Sequence, residues 1–351
     1  MKAARIISPN KPLEICNMTL RTLNEFEVKI KVKAAGICHS DLHLFEGGYD
    51  AGDGTFLNVT DRGVKYPITP GHEIAGTVTD IGKSVTNIAI GDDVLVYPWI
   101  GCGVCYTCRN GDEQLCEFPR SIGVFQDGGY AEFVIIPHYK FLIKVSKLNL
   151  DEIASLACSG LTSFTSIQKA KVLPHHKLVI LGVGGLGLMA VQLARSLTNS
   201  TIICIGRNNK KLSTAQQFGA DYVINSTESN IESEIFSLNP TGVDCVIDFI
   251  NSPSTATTSM KILKKCGKLI LVGLFGGAMN LSLPTIPLRA ITIEGAYTGS
   301  YNSLVHLIEL AKRGVIKPLI SKKYTLHEVN TAFDDIKNHK VIGRSVITPS
   351  S

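Results

Sequence analysis

The 351-residue chain has no uninterrupted apolar run of the roughly 18 residues that a helical membrane span requires, which excludes a helical membrane protein. Its first residues, Met1-Lys2-Ala3-Ala4-Arg5-Ile6-Ile7, lack the apolar core of a secretory signal and read as the start of a strand, so a cytoplasmic location is expected. Charge is sparse and scattered: charged residues make up 19% of the chain, the net charge is +5, and the lysines gather only in pairs such as Lys210-Lys211, Lys264-Lys265 and Lys322-Lys323. No basic stripe or aromatic-interleaved basic patch accompanies those pairs, so neither nucleic acid nor a membrane is an expected partner. Internal repeats and low-complexity tracts are missing too.

What is present is an ordinary globular composition, 44% hydrophobic, with a length that suggests about two domains. The first 150 residues carry short runs of period two broken by glycines, such as Glu27-Val28-Lys29-Ile30-Lys31-Val32 and Asp93-Val94-Leu95-Val96-Tyr97. Alternation with this punctuation predicts a β-rich, barrel-like unit. Residues 46–65, with five glycines and little periodicity, read as a long loop over the site. From residue 178 the texture changes. Apolar runs at 178–181, 202–205, 222–224, 243–247 and 269–272 alternate with amphipathic stretches such as 188–196 and 211–218. Continuous apolar strands separated by helices predict a doubly wound parallel sheet. Thr292-Ile293-Glu294-Gly295 is expected to close it, and a helix (303–313) and a strand (345–347) to return to the first unit.

The first strand of that sheet runs directly into Gly182-Val183-Gly184-Gly185-Leu186-Gly187 and a helix. A glycine pattern of this kind is weak alone, but here it follows a buried strand and opens a helix, the context dinucleotide binding needs. Gly182 permits the turn, Gly184 lets pyrophosphate approach the backbone, and Gly187 lets helix and strand pack closely; Gly185 and Leu186 supply N–H groups at the helix start, where the dipole favours an anion. An NAD site would carry an acid at the end of the second strand. That position is Gly206, followed by Arg207, Asn208 and, one turn on, Lys211. Loss of the carboxylate and gain of a guanidinium favour NADP(H) over NAD(H), the guanidinium pairing with a 2′-phosphate.

Four of the ten cysteines lie within fifteen residues: Cys102-x2-Cys105-x2-Cys108-x7-Cys116. In a reduced compartment a tight cluster of this kind indicates a metal rather than disulfides. Four thiolates close a tetrahedral zinc shell and leave no place for substrate, so this site is expected to be structural. A second group is dispersed: Cys38-His39-Ser40-Asp41-Leu42-His43, Gly71-His72-Glu73 and Cys158. Each of these alone reads more readily as a packed Cys or a surface His than as a ligand.

With these motifs in view the chain resembles the zinc-containing medium-chain dehydrogenase/reductase family essentially end to end. Gly71-His72-Glu73-x2-Gly76-x5-Gly82-x2-Val85 fits the family's zinc motif, and the four-cysteine lobe fits its structural zinc. It is especially similar to archaeal zinc-dependent alcohol dehydrogenases, which share Cys-His-Ser-Asp-x-His and the Pro-His-Tyr-Lys found here at Pro137–Lys140. The resemblance implies a GroES-like β-barrel catalytic domain (1–153), a Rossmann domain (154–300) and a C-terminal return to the first (301–351), α/β overall. It makes Cys38, His72 and Cys158 ligands of a catalytic zinc, with Glu73 an occasional fourth. Asp41 is then the carboxylate orienting the His ligand, Ser40 the hydroxyl exchanging a proton with substrate, and His43 the next member of the relay. Thr162 would touch the nicotinamide and Arg344 the pyrophosphate. Where those relatives have a tryptophan in the substrate pocket this chain has Ser121, while Trp99 is kept.

The expected activity is hydride transfer between NADP(H) and a primary or secondary alcohol or aldehyde, a semialdehyde among them, with two zinc ions per chain and a homo-oligomer, dimer or tetramer, as the assembly. Cys158 in place of Glu as third ligand leans away from the alternative, a polyol dehydrogenase of the same family. A zinc-free quinone or enoyl reductase would lack both cysteine sets, and a non-catalytic member would be expected to have a broken ligand set; here every ligand is intact.

Overall fold

The computed structural model describes residues 1–349. By internal contacts the chain divides into two units, one comprising Met1–Gly48, Asn58–Leu161 and Thr298–Ser351, the other Tyr49–Leu57 and Thr162–Tyr297.

The first unit is built on a seven-stranded sheet around the strand Val28–Gly36, which pairs antiparallel with Glu73–Ile81, Phe133–Ile136 and the C-terminal Arg344–Thr348. Val28, Ile30 and Val32 are buried while Lys31 and Lys33 face solvent, the alternation of a half-buried strand; it ends at Ala34-Ala35-Gly36, all buried. Small side chains there let neighbouring segments press on both faces. The ladder with Glu73–Ile81 shifts register between Lys29 and Ile30 and between Val32 and Ala34, and such irregularities bend a strand and re-aim the residues beyond the bend. The pairing that results sets Gly36 opposite Glu73. Arg344–Thr348 lies alongside, with Val346 opposite Gly36 and the N–H of Ile37 donating to the carbonyl of Ser345 at 3.0 Å. Three segments distant in sequence are thus fixed around one point.

The second unit is a six-stranded, all-parallel sheet in the order Tyr222–Asn225, Thr201–Gly206, Lys177–Leu181, Val243–Asp248, Leu263–Leu271, Thr292–Gly295. This is the 3-2-1-4-5-6 arrangement of dinucleotide-binding sheets, with its switch point beside Lys177–Leu181. Val179, Leu181, Ile203, Ile205, Val246 and Leu269 form its core; burying each such side chain is worth about 1.5–3 kcal/mol. The strands match the apolar runs of the sequence. The stretch 46–65 does not match the loop expected there. It forms a hairpin of Gly48–Gly52 and Thr55–Asn58, whose turn Gly52-Asp53-Gly54 lies wholly at positive φ, and whose Asp50 carbonyl accepts from Gly277 at 3.2 Å. Two of the five glycines, Gly52 and Gly54, serve the tight turn, while Gly47 and Gly63 each end a helical turn in the left-handed region. Among the described residues no helix is long and apolar enough to cross a membrane.

Candidate metal centres and cofactor site

The helix His39–Glu46 begins as the chain leaves Val28–Gly36, with Cys38 at its N-cap and Asp41 in its first turn. Asp41 is fully buried. Its Oδ2 accepts from the Cys38 N–H at 2.9 Å and its Oδ1 from the Gly71 N–H at 3.1 Å. It thereby ties the segment carrying Cys38 to the one carrying His72, and Oδ1 lies 3.5 Å from His72 Nδ1. Cys158 arrives from a third direction, between the 3-10 turn Ala154–Ala157 and the helix Ser159–Ala170.

These segments bring one donor atom each of Cys38, His72, Glu73 and Cys158 within 4.8 Å of one another, all four residues buried. His72 Nε2 and Glu73 Oε2 have no hydrogen-bond partner among the described residues. A buried polar atom without a partner is costly, and both residues belong to the cluster that includes two sulfurs. Two thiols, an imidazole and a carboxylate are a donor set suited to zinc, and the residues fit that ion.

The charges agree. The proton shared with Cys158, together with the nearby Arg344 and His72, holds the Cys38 thiol well below its usual range, while the same hydrogen bond and burial keep Cys158 well above it. Burial pushes Glu73 up to about 7 against the pull of Arg344. Burial also opposes charge on His72, but Asp41 and Cys38 outweigh it and raise its pKa well above the ordinary value. The Cys38 thiolate is therefore set among the positive charges of His72 and Arg344.

Arg344 stands in the middle of this centre. Its guanidinium donates to Glu73 Oε1 at 2.7 Å, to the Ile37 carbonyl at 3.2 Å and to Cys38 Sγ at 3.6 Å. Sequence reasoning attached Arg344 to pyrophosphate and missed this ion pair, which spans 271 positions of the chain. Trp99 is a second brace: its ring lies 5.2 Å from that of His72, and its Nε1 donates to the carbonyl of Ala157, next to Cys158, at 3.0 Å. Ser40 Oγ sits 3.8 Å from Cys38 Sγ, and His43, one turn on, is half-buried with its Nδ1 4.0 Å from Glu46.

The second cluster is Cys102, Cys105, Cys108 and Cys116, again with all four donors within 4.8 Å. Sulfurs about 2.3 Å from a tetrahedral zinc lie about 3.8 Å from one another. The separations of 3.9 Å (Cys102–Cys108) and 3.8 Å (Cys105–Cys116) fit that ion. Backbone N–H groups of Cys102 and Phe118 point at Cys116 Sγ, and that of Cys105 at Cys102 Sγ, at 3.2 to 3.4 Å, as thiolates require. Gly101 leaves room for this packing, since a Cβ there would fall 2.5 Å from Cys108 Sγ.

In the parallel sheet, Gly182 has φ +98°, and a Cβ on Gly187 would fall 1.9 Å from the Gly182 carbonyl oxygen, so both positions require glycine. A Cβ on Gly184 would meet nothing. Gly184 caps the helix Gly185–Leu197 without any side-chain hydrogen bond, leaving the N–H groups around Gly185 and Leu186 at an open helix start. Ser163 Oγ donates to the carbonyl of Leu186 at 2.8 Å and anchors the glycine turn to the helix that carries the buried Thr162; nothing in the local sequence around Ser163 marks it. At the end of the next strand Gly206 is followed by the exposed Arg207 and by Asn208, whose side chain caps the following helix at Lys211 N, 3.1 Å away. Burial and the neighbouring Arg207 depress the Lys211 pKa, so two cations share this corner. The carboxylate of Glu228 is taken by Asn209 and Asn225.

Residues 24–147 match the family profile of the alcohol dehydrogenase GroES-like domain, and 185–313 that of the zinc-binding dehydrogenases. The chain is 42% identical over 351 residues to an NAD-dependent alcohol dehydrogenase of Saccharolobus solfataricus, covering 99% of this chain and 100% of the relative. It is 40% identical, with the same coverage, to an NAD-dependent alcohol dehydrogenase of Sulfurisphaera tokodaii. The solved alcohol dehydrogenase of Aeropyrum pernix superposes with a TM-score of 0.92 at 31% identity, covering 99% of this chain and 100% of that one.

Proposed function

The chain belongs to the zinc-containing medium-chain dehydrogenase/reductase family, an oxidoreductase acting on CH–OH donors with NAD(P), and from that premise we propose that it interconverts a small alcohol and its aldehyde, with NADP(H) favoured over NAD(H). The observation that carries this reading is the convergence of Cys38, His72, Glu73 and Cys158, with the Ser40 hydroxyl beside Cys38. When bound, zinc supplies Lewis acidity to the substrate oxygen and the nicotinamide supplies the hydride acceptor or donor. Cys38, His72 and Cys158 hold the ion and Glu73 stands ready as a fourth donor, while Asp41 fixes the orientation of His72.

Ser40 takes the alcohol proton at its Oγ and passes it toward His43, one helical turn along the same face. Gly182, Gly184, Gly185, Leu186 and Gly187 receive the pyrophosphate, and Thr162 contacts the nicotinamide. A pyrophosphate contact by Arg344 requires one guanidinium nitrogen to leave Glu73 or Cys38; its present bonds support it first as the counter-charge of the buried centre. The two relatives are named NAD-dependent. Against that, Gly206 here carries no acid, and Arg207, Asn208 and Lys211 offer a guanidinium, an amide and an ammonium to a 2′-phosphate. With such a cofactor, reduction of an aldehyde or semialdehyde is the physiological direction, and Ser121 in place of the relatives' tryptophan gives the substrate pocket a different size and polarity.

The reduced thiols of both metal sets support a cytoplasmic location, and the exposed edge strand Thr292–Gly295 supports assembly into a dimer or tetramer. The test is a metal analysis, expected to find about two zinc ions per chain, followed by reduction of aliphatic, aromatic and acidic aldehydes with NADPH and NADH side by side. A preference for NADH of about tenfold, roughly 1.4 kcal/mol of transition-state discrimination, would overturn the cofactor reading.

A further inference from the structure

We propose that Tyr130 is a positioning residue of the buried metal centre, acting on it through Asp41; the inference rests on the reading of Cys38, His72 and Cys158 as ligands of a catalytic metal. Tyr130 is fully buried, and its hydroxyl lies 3.0 Å from Asp41 Oδ2 and 3.3 Å from the carbonyl of Gly36. Asp41 has no exposed surface. Its hydrogen bonds come from the Cys38 N–H, the Gly71 N–H and this phenol. A carboxylate withdrawn from water depends on its full set of donors. Without the phenol, Oδ2 keeps only the Cys38 N–H, and the carboxylate is free to turn away from His72 Nδ1, 3.5 Å from its other oxygen.

The ring makes the second contribution. Gly71 has φ +93°, and a Cβ on it would fall 2.5 Å from Tyr130 Cδ1. The tyrosine face thus floors the turn immediately before His72, while its hydroxyl reaches the carbonyl two residues before Cys38. One side chain spans the approaches of both ligand-bearing segments, and its own backbone N–H is held by Pro70 at 3.1 Å. Phenylalanine would fill the same floor and lose only the hydroxyl, so the two contributions are separable.

The experiment compares zinc release from the wild-type chain and from Tyr130→Phe into a chelating dye, with the four-cysteine lobe as internal control in the same molecule. The buried-site ion is expected to be held about 10–100-fold more weakly in Tyr130→Phe, the range typical for loss of a partner behind a metal ligand, while the lobe ion leaves at the wild-type rate. Adding Tyr130→Phe to Asp41→Asn is expected to weaken retention by less than about threefold further, because both act along one path. A general structural role would loosen both ions together and add fully to Asp41→Asn. Loss of both ions, loss of neither, or full additivity overturns the role of Tyr130. A wild-type chain holding only the lobe ion would instead remove the catalytic-metal reading, and this inference with it.

Discussion

Gly36 lies opposite Glu73 in the central ladder so closely that a methyl group on Gly36 would fall 1.9 Å from Glu73 Oε2 and 2.8 Å from its Cβ. The absence of a side chain at one position is thus what lets the carboxylate of the other point into the metal centre. Gly36→Ala is expected to cost about 1–3 kcal/mol through overpacking. It should also displace Glu73 from Arg344, so the buried zinc is lost before the lobe zinc. Calorimetry and metal content together check this; a variant with wild-type midpoint and two ions would show that the ladder yields more easily than its geometry suggests.

The four-cysteine lobe makes the opposite demand. It offers substrate no open position, so its ion is expected to act on stability and not on turnover. Cys116→Ser removes a sulfur that three neighbours address, the N–H groups of Cys102 and Phe118 and the Cys105 thiol. Zinc content is expected to fall from about two to about one per chain, with a lowered thermal midpoint. Freshly prepared protein should keep most of its kcat. A selective collapse of kcat at full thermal stability would count against a structural role.

Much of this architecture is readable from local pattern. The glycine turn after a buried strand, the four cysteines at short spacing, and the alternation of apolar runs with amphipathic ones are all written within windows of twenty residues or so, the range over which period and spacing carry information. What escaped is set by long-range pairing. Tyr130 meets Asp41 across 89 positions, and Arg344 meets Glu73 across 271. Neither has a neighbour in sequence that announces the contact. The hairpin Gly48–Asn58 was hidden for a different reason: its glycines are consistent with either a loose loop or a tight turn, and the choice falls to the β-prone Thr55-Phe56-Leu57 and to the partner backbone at Gly277.

Arg207 tests the cofactor reading at a single side chain. It is exposed, and within the following turn Lys211 already feels its charge. A charge-assisted hydrogen bond to a 2′-phosphate is worth about 1.5–3 kcal/mol, so Arg207→Ala is expected to raise KM for NADPH roughly ten- to hundredfold. KM for NADH should stay within about twofold, since that cofactor has no group for Arg207 to hold. Parallel steady-state kinetics with the two cofactors decide it; equal losses with both would assign Arg207 to something other than the 2′-phosphate.

Acid sensitivity should show at the start of the central strand. Glu27, just before Val28–Gly36, accepts two bonds from Arg21 at 2.6 and 2.7 Å and one from the Asn24 N–H at 2.8 Å. The Arg21 guanidinium, aided by that N–H and opposed by burial, holds its carboxyl down at about 2, against an ordinary value of 4.5. The folded-state value is the lower one, so the folded state favours the ionised form. The resulting stability is fully present above the unfolded value of 4.5 and is lost as pH falls from there toward 2. Glu27→Gln removes the ion pair at every pH. The difference in urea midpoint between wild type and variant should therefore be clear at pH 7 and shrink steadily below pH 4.5. Taking the difference cancels acid effects on the cysteine and histidine ligands common to both chains. A gap that stayed constant down to pH 3 would mean that Glu27 acts through shape and not through its charge.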